Sequence, residues 1–196
     1  MTDGQDRASV SAHRGPPVLG VVLAAGAGSR YGEPKIGAHQ GQWLNRAVHA
    51  LAIGGCGEVL VAMGARIVEP PVGSSALEVP RWADGLGETV RVAIAEGRRR
   101  PGLRAMVLHV VDTPDVGPEV VARVIAAAGP STAALARAVY EGRPGHPVCV
   151  GADHLGALSA TLTGDVGAGP YLAARHVEVV TVECGDLATG VDIDRP

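Results

Sequence analysis

Residues 18–24, VLGVVLA, are apolar without alternation, and a cluster of glycines follows. A short unbroken run of this kind predicts a strand buried on both faces. The period then lengthens. In WLNRAVHALAI, residues 43–53, Leu44, Val48 and Leu51 recur at helical spacing and Gly54-Gly55 supply the stop. EVLVAM at 58–63 reads as a second strand. The stretch 68–82 carries three prolines and no period, and reads as irregular. A helix is expected over 86–99, a third buried strand (AMVLHVV) over 105–111, and a helix over 118–128 with Pro118 in its first turn, where the missing N–H costs nothing. Residues 131–140 and 146–150 read as strands, about 152–162 and 166–174 as short helices, and VEVVTV at 177–182 as a last strand.

Strands separated by helical stretches argue for an α/β domain, a mostly parallel sheet with helices on both faces. Ligands of such sheets sit beyond the carboxyl ends of the strands. Polar groups placed just after strands are therefore the candidates for chemistry. His109, in mid-strand, reads instead as a core histidine with its hydrogen bonds satisfied, and Trp82 reads as packing.

Composition narrows the partners. The 196 residues hold no Phe, so the core packs Ala, Val and Leu, and 18–196 is long enough to form one domain. Residues 1–17 are polar, lack the apolar stretch of a signal peptide and read as a disordered tail. A net charge of −3 with scattered basic residues argues against nucleic acid. The one basic run, RRR at 98–100, suits the negative end of a helix dipole. No apolar run is long enough to span a bilayer. Cys56, Cys149 and Cys184 are far apart and form no CxxC, which disfavours zinc and a disulfide framework and fits a reducing cytoplasm.

The turn after the first strand carries the strongest chemical signal. Gly26, Gly28 and Gly32 permit positive φ and close backbone approach, and successive N–H groups in such a turn make an anion-binding nest. Arg30 and Lys35 add full charges. A polyphosphate would satisfy all of these groups together. The dinucleotide fingerprint fails, because Tyr31 stands where its third glycine belongs. The P-loop fails too, because Lys35 follows Pro34 and precedes Ile36. Farther on, Asp112 ends a strand with Thr113 held extended by Pro114. Asp192 and Asp194, two apart, share a face if the chain there is extended. Two carboxylates, completed by phosphate oxygens and water, are enough for Mg2+.

LAAGAGSRYGEPK resembles the signature L-A-A/G-G-x-G-x-R-x-G-x-x-K of nucleotidyltransferases that join an NTP to a phosphorylated acceptor. Within them the chain looks most like the molybdenum cofactor cytidylyltransferases, the MobA-like NTP transferases. PRWADGLGETVRVAIA from Pro80, VVDTPDV from Val110, ARAVYEGRPGHPVCV from Ala136, GDVGA from Gly164 and DIDRP from Asp192 resemble that family's further segments, in family order. The chain departs from the pattern at Arg195, where the family has Thr, at Val79, where Asn is common, and in a shortened 67–80 loop.

The resemblance implies the three-layer, Rossmann-like nucleotide-diphospho-sugar transferase fold and a cytoplasmic, Mg2+-dependent enzyme. Arg30, Lys35 and Asp112 would be catalytic. Leu23, Ala24, Ala25, Gly26, Ala27, Gly28, Ser29, Arg30 and Lys35, with Gly85 and Gly87, would bind the nucleotide. Asp112 would be the first metal ligand and Asp194 the second, with Asp192 the alternative. Gly145, His146 and Pro147 would line the acceptor side. Asp165 would either contact the acceptor or cap a helix. Ala25, larger than the glycine of guanylyl enzymes, favours CTP over GTP. The implied acceptor is a molybdopterin-type phosphate, with a molybdenum hydroxylase as the partner that would receive the product. Phospholactate or a sugar phosphate are alternative acceptors. A non-catalytic module that binds nucleotide or cofactor for delivery is the alternative from another class.

Overall fold

The structure, a computed structural model, describes residues 17–195; the tail expected over 1–17 lies, apart from Pro17, outside the described residues. Seven strands form one sheet: β1 (Val18–Leu23), β2 (Glu58–Met63), β3 (Ser75–Glu78), β4 (Ala105–Val110), β5 (Leu135–Tyr140), β6 (Arg143–Gly151) and β7 (Val179–Glu183). Their order is β3-β2-β1-β4-β6-β5-β7. β6 runs antiparallel to both its neighbours, and every other pairing is parallel. The helices are α1 (Gln42–Ile53), α2 (Leu86–Gly97), α3 (Pro118–Ala128), α4 (Leu155–Thr161) and α5 (Gly169–Ala173).

The unbroken apolar strands mean what their pattern predicted. Alternate residues of β1 serve two cores. Val18 and Val22 pack with Trp43, Leu44, Val48 and Leu51 of α1 and Val120, Val121 and Val124 of α3. Leu19, Val21 and Leu23 pack with Val90 and Ile94 of α2, Leu155 and Leu158 of α4, and Leu172 of α5. Each fully buried Leu, Ile or Val contributes roughly 2 kcal/mol of transfer free energy, so both helical layers are held to the sheet mainly by this burial. The expected α/β sandwich with a mostly parallel sheet is the fold observed.

Three details depart from the expectation. β3 forms inside the stretch read as irregular. It is a four-residue edge strand with exposed Ser75, Ala76 and Glu78, and it pairs only with β2. Such an edge needs no apolar run, so periodicity cannot reveal it. β6 begins three residues earlier than expected, because Glu141 and Gly142, both at positive φ (52° and 76°), turn β5 tightly back into it; that backbone matches strand twist in a hairpin. Residues 131–134 turn before β5, with the Ala133 N–H donating to Ser131 Oγ at 3.1 Å. The basic run does end a helix: Arg100 donates to the Glu96 carbonyl of α2 at 2.7 Å and pairs with Glu58 and Glu96. All three cysteines are free and buried. Among the described residues no helix is long and apolar enough to cross a membrane.

Candidate functional site

β1 and β4 are adjacent and parallel, so Leu23 and Val110 end side by side and the loops after them share one edge of the sheet. A cavity of about 530 Å3 opens there. Every residue of 23–30 lines it, as do Lys35, Gly85, Asp112, Asp165 and Asp194. The loop after β1 is a tight turn built on Gly28. Its carbonyl accepts from the N–H groups of Tyr31 (2.9 Å) and Gly32 (2.8 Å), its φ is +63°, and a side chain there would collide with the Glu33 carbonyl. Among the described residues, no protein acceptor takes up the N–H groups of residues 26–30. That leaves a run of unpaired donors in a loop that lines the cavity, as an anion-binding nest requires.

The charges converge on Lys35. It opens a short 3-10 turn (Lys35–Gly41) after Pro34. Its Nζ donates to Asp112 Oδ2 at 2.7 Å and to Asp194 Oδ1 at 2.8 Å. Burial alone would lower the ammonium's pKa, but the hydrogen bonds and negative charges of Asp112 and Asp194 together outweigh it and raise the pKa. The same contact holds Asp194 below the usual carboxylate range. Arg30 is far more exposed, with Nη1 3.7 Å from Asp194. Asp194 is delivered by the C-terminal segment, which two contacts tie to the β4 edge. The Ile193 N–H donates to the Asp112 carbonyl (3.0 Å), and Thr189 donates through both N–H and Oγ1 to Asp115 (2.6 Å each). Asp192 lies nearby; burial and the charges of Asp112 and Asp194 push its carboxyl up. Among the described residues, no group of three or more His, Cys, Asp or Glu side chains is arranged to hold a metal. A divalent cation here would rest on Asp112 and Asp194, which already share one cation, the Lys35 ammonium. An all-oxygen pair of this kind suits Mg2+ or Mn2+, which complete their shells with phosphate and water.

A second cavity of about 360 Å3 lies on the α2, α4 and α5 side of the sheet. It shares Leu23, Leu86, Val110 and Asp165 with the first. Of the residues assigned to an acceptor, His146 and Asp165 line it, whereas Gly145 and Pro147 do not. Gly145 is a packing position, since a Cβ there would lie 2.7 Å from the Tyr140 ring. His146 is partly buried, and its Nδ1 lies 3.3 Å from the Leu108 carbonyl, so this nitrogen is the donor. Burial lowers the ring's pKa. Arg137, which carried no signal in the sequence, also lines this cavity.

Gly87 stands behind the first cavity rather than on it. Its N–H donates to the Gly164 carbonyl at 2.8 Å, and Gly85, at φ +102°, packs against the same turn. The TGDVGA segment is thereby docked under the WADGLGE segment. Buried Glu88 locks the pair: it accepts from Arg81 at 2.8 Å and from Arg91, and Arg91 in turn donates to the Leu162 carbonyl at 2.6 Å. Gly85→Ala would set a Cβ 2.5 Å from the Gly164 carbonyl, at a φ that only glycine adopts freely. Overpacking and strain together predict a loss of about 2–4 kcal/mol, measurable by urea unfolding.

His109 departs from expectation. Both ring nitrogens are buried without a hydrogen-bond partner among the described residues, as is Thr113 Oγ1.

Comparison with known proteins follows the same lines. The chain is 30% identical over 195 residues to a nicotine blue oxidoreductase from Paenarthrobacter nicotinovorans, covering 91% of this chain and 93% of that one. The crystal structure of Rv0371c from Mycobacterium tuberculosis superposes with a TM-score of 0.73 at 26% identity, over 93% of this chain and 95% of that one. A structure of Rv0371c in complex with manganese matches at 0.64 and 24%, over 92% and 95%. A nucleotidyl transferase from Methanothermobacter thermautotroptrophicus shares the fold, with a TM-score of 0.75 at 20% identity, over 92% and 93%. The MobA-like NTP transferase domain matches residues 20–179, a span that holds the nest, Lys35, Asp112 and the strand of the second cavity, and the chain therefore belongs to that family.

Proposed function

We propose that the protein transfers a nucleoside monophosphate, CMP from CTP, to the terminal phosphate of a molybdopterin-type acceptor and releases pyrophosphate. The observation that carries this reading is that residues 26–30, whose N–H groups have no protein acceptor among the described residues, line one cavity with Lys35, Asp112 and Asp194. The α-phosphorus of an NTP is shielded by anionic oxygens, and the attacking phosphate is itself an anion. Transfer therefore depends on positioning and on neutralising charge.

The nest would take the outer phosphates, with exposed Arg30 closing over them. Lys35, held between two carboxylates, would stay charged and face the α-phosphate. A Mg2+ on Asp112 and Asp194 would supply further positive charge to the triphosphate. No residue need act as a general base, because a phosphate nucleophile is already ionised near neutral pH. The acceptor would occupy the second cavity and reach the nucleotide across the wall of Leu23, Leu86, Val110 and Asp165. Ala25, which lines the first cavity where guanylyl enzymes have glycine, supports a pyrimidine. Manganese binding by Rv0371c supports a divalent cation.

The test is pyrophosphate release from CTP, GTP, ATP and UTP, with molybdopterin and with and without Mg2+. CTP with Mg2+ should react fastest, and Asp112→Ala should abolish turnover. Full turnover by that variant would overturn the metal assignment. A second reading comes from the Paenarthrobacter relative, whose name assigns it a redox reaction. In that case the nest would hold the diphosphate of a dinucleotide reductant. Tighter binding of NADH or NADPH than of CTP, with no pyrophosphate released, would favour it.

A further inference from the structure

The second cavity is walled mostly by Leu and Val residues, yet Arg137 is among the residues that line it. Arg137 lies on β5 between Ala136 and Ala138, which face the α1 and α3 core, so its own side chain lies on the opposite face. It stands in register with Val148 of β6, which stands in register with Leu108 of β4. The three residues form one row across the sheet. Arg137 is thus two strand spacings, about 9.5 Å, from β4. It is a further two residues, about 7 Å along the strand, from the Leu23–Val110 level where the two cavities meet.

An arginine has five N–H donors. Among the described residues a single protein bond is formed, from Nε to the Gly145 carbonyl at 3.4 Å. Among the described residues Arg137 has no carboxylate partner, unlike Arg81, Arg91, Arg100 and Arg123, which are each paired. Burial lowers its pKa from the ordinary arginine value, which is the mark of a charge held away from water without compensation. His146 beside it brings no second charge, since its own pKa is lowered. Asp165 sits on the shared wall, outside ion-pair distance of Arg137. A half-buried, unpaired charge costs free energy in the empty protein, and an anionic ligand would offset that cost.

We infer that Arg137 is the specificity residue of the second cavity: it grips an anionic group on the body of the acceptor, separate from the phosphate that reacts. The assignment of this cavity to the acceptor rests on the function proposed above. The guanidinium's planar fork fits a paired anion, a carboxylate or the two thiolate sulfurs of a molybdopterin-type acceptor. An acceptor carrying only its phosphate would leave the fork unmatched and bind more weakly.

Isothermal titration with two probes tests this without turnover. Pterin-6-carboxylate carries the anionic group on a ring body, and 6-hydroxymethylpterin lacks it. The wild-type protein should bind the carboxylate at least about ten-fold more tightly, the usual size of one charge-assisted contact. Arg137→Met should erase that preference and Arg137→Lys should keep part of it. Both variants should bind CTP within about two-fold of wild type, which shows that the fold and first cavity are intact. Equal binding of the probes by wild type, binding of neither, or a preference that survives in Arg137→Met would each overturn the inference. If no nucleotide is ever transferred but the Arg137-dependent preference holds, the proposed reaction falls and this site stands. If transfer occurs and Arg137→Met leaves the acceptor KM unchanged, the reaction stands and this site falls.

Discussion

Lys35→Met is expected to lower kcat for nucleotidyl transfer by about 10²–10³-fold, the loss typical when one preorganised donor to a developing charge is removed. The Kd for CTP should change far less. Methionine keeps the unbranched stem, so the variant removes a charge rather than packing. The Lys35 side chain is only 12% exposed and bridges Asp112 and Asp194; without it these two carboxylates lose the cation they share. Binding is spread over the N–H groups of 26–30 and over Arg30, which the substitution leaves alone. Arg30→Ala should show the opposite split, with a raised KM and a smaller change in kcat, because its side chain is 83% exposed and its one ion-pair partner among the described residues is Asp194. Single-turnover kinetics with titration of CTP separate the two effects. A Lys35→Met enzyme whose KM rises while kcat holds would remove Lys35 from the chemistry and make it a binding residue.

The nest, Lys35, Asp112 and Asp194 were legible because each follows a strand or belongs to a spaced motif. Their convergence follows from the parallel β1–β4 pairing, which an alternating strand and helix order predicts. Other parts of the site were not legible, for a common physical reason. Gly87 and Gly145 sit in motifs beside candidate site residues, but their missing Cβ atoms make room for the Gly164 turn and for Tyr140. Spacing cannot tell a glycine that admits a ligand from one that admits a neighbouring chain segment. Arg137 alternates with alanines along a strand and so looks like a residue on a solvated face. It becomes half-buried only because α4, α5 and their connecting turns cover that face, which is a tertiary fact. β3 escaped notice because an exposed edge strand is specified by its partner, β2, rather than by its own pattern.

His109→Leu is expected to stabilise the protein at neutral pH and to flatten its loss of stability in acid. His109 is fully buried, and burial, reinforced by the nearby His146 and only partly opposed by Asp115, pushes its pKa down to about 3. In the unfolded chain the imidazole titrates near its ordinary value, about 6.5. Between those two values the unfolded chain holds a proton that the folded chain refuses, so stability rises with pH across this window and falls as pH drops. The full slope is about 1.4 kcal/mol per pH unit, reached below the unfolded pKa, which predicts a loss of roughly 2 kcal/mol between pH 6.5 and 4.5 from this residue alone. Leucine has a similar volume and nothing to protonate. It also removes two buried nitrogens that have no partner among the described residues, and each unsatisfied polar group costs about 1–3 kcal/mol. Urea unfolding of both proteins at pH 6.5 and 4.5 measures both effects. If the two lose stability in parallel as the pH falls, the proton refused by β4 is not what sets the acid limit, and the carboxylates of the ion pairs must set it instead.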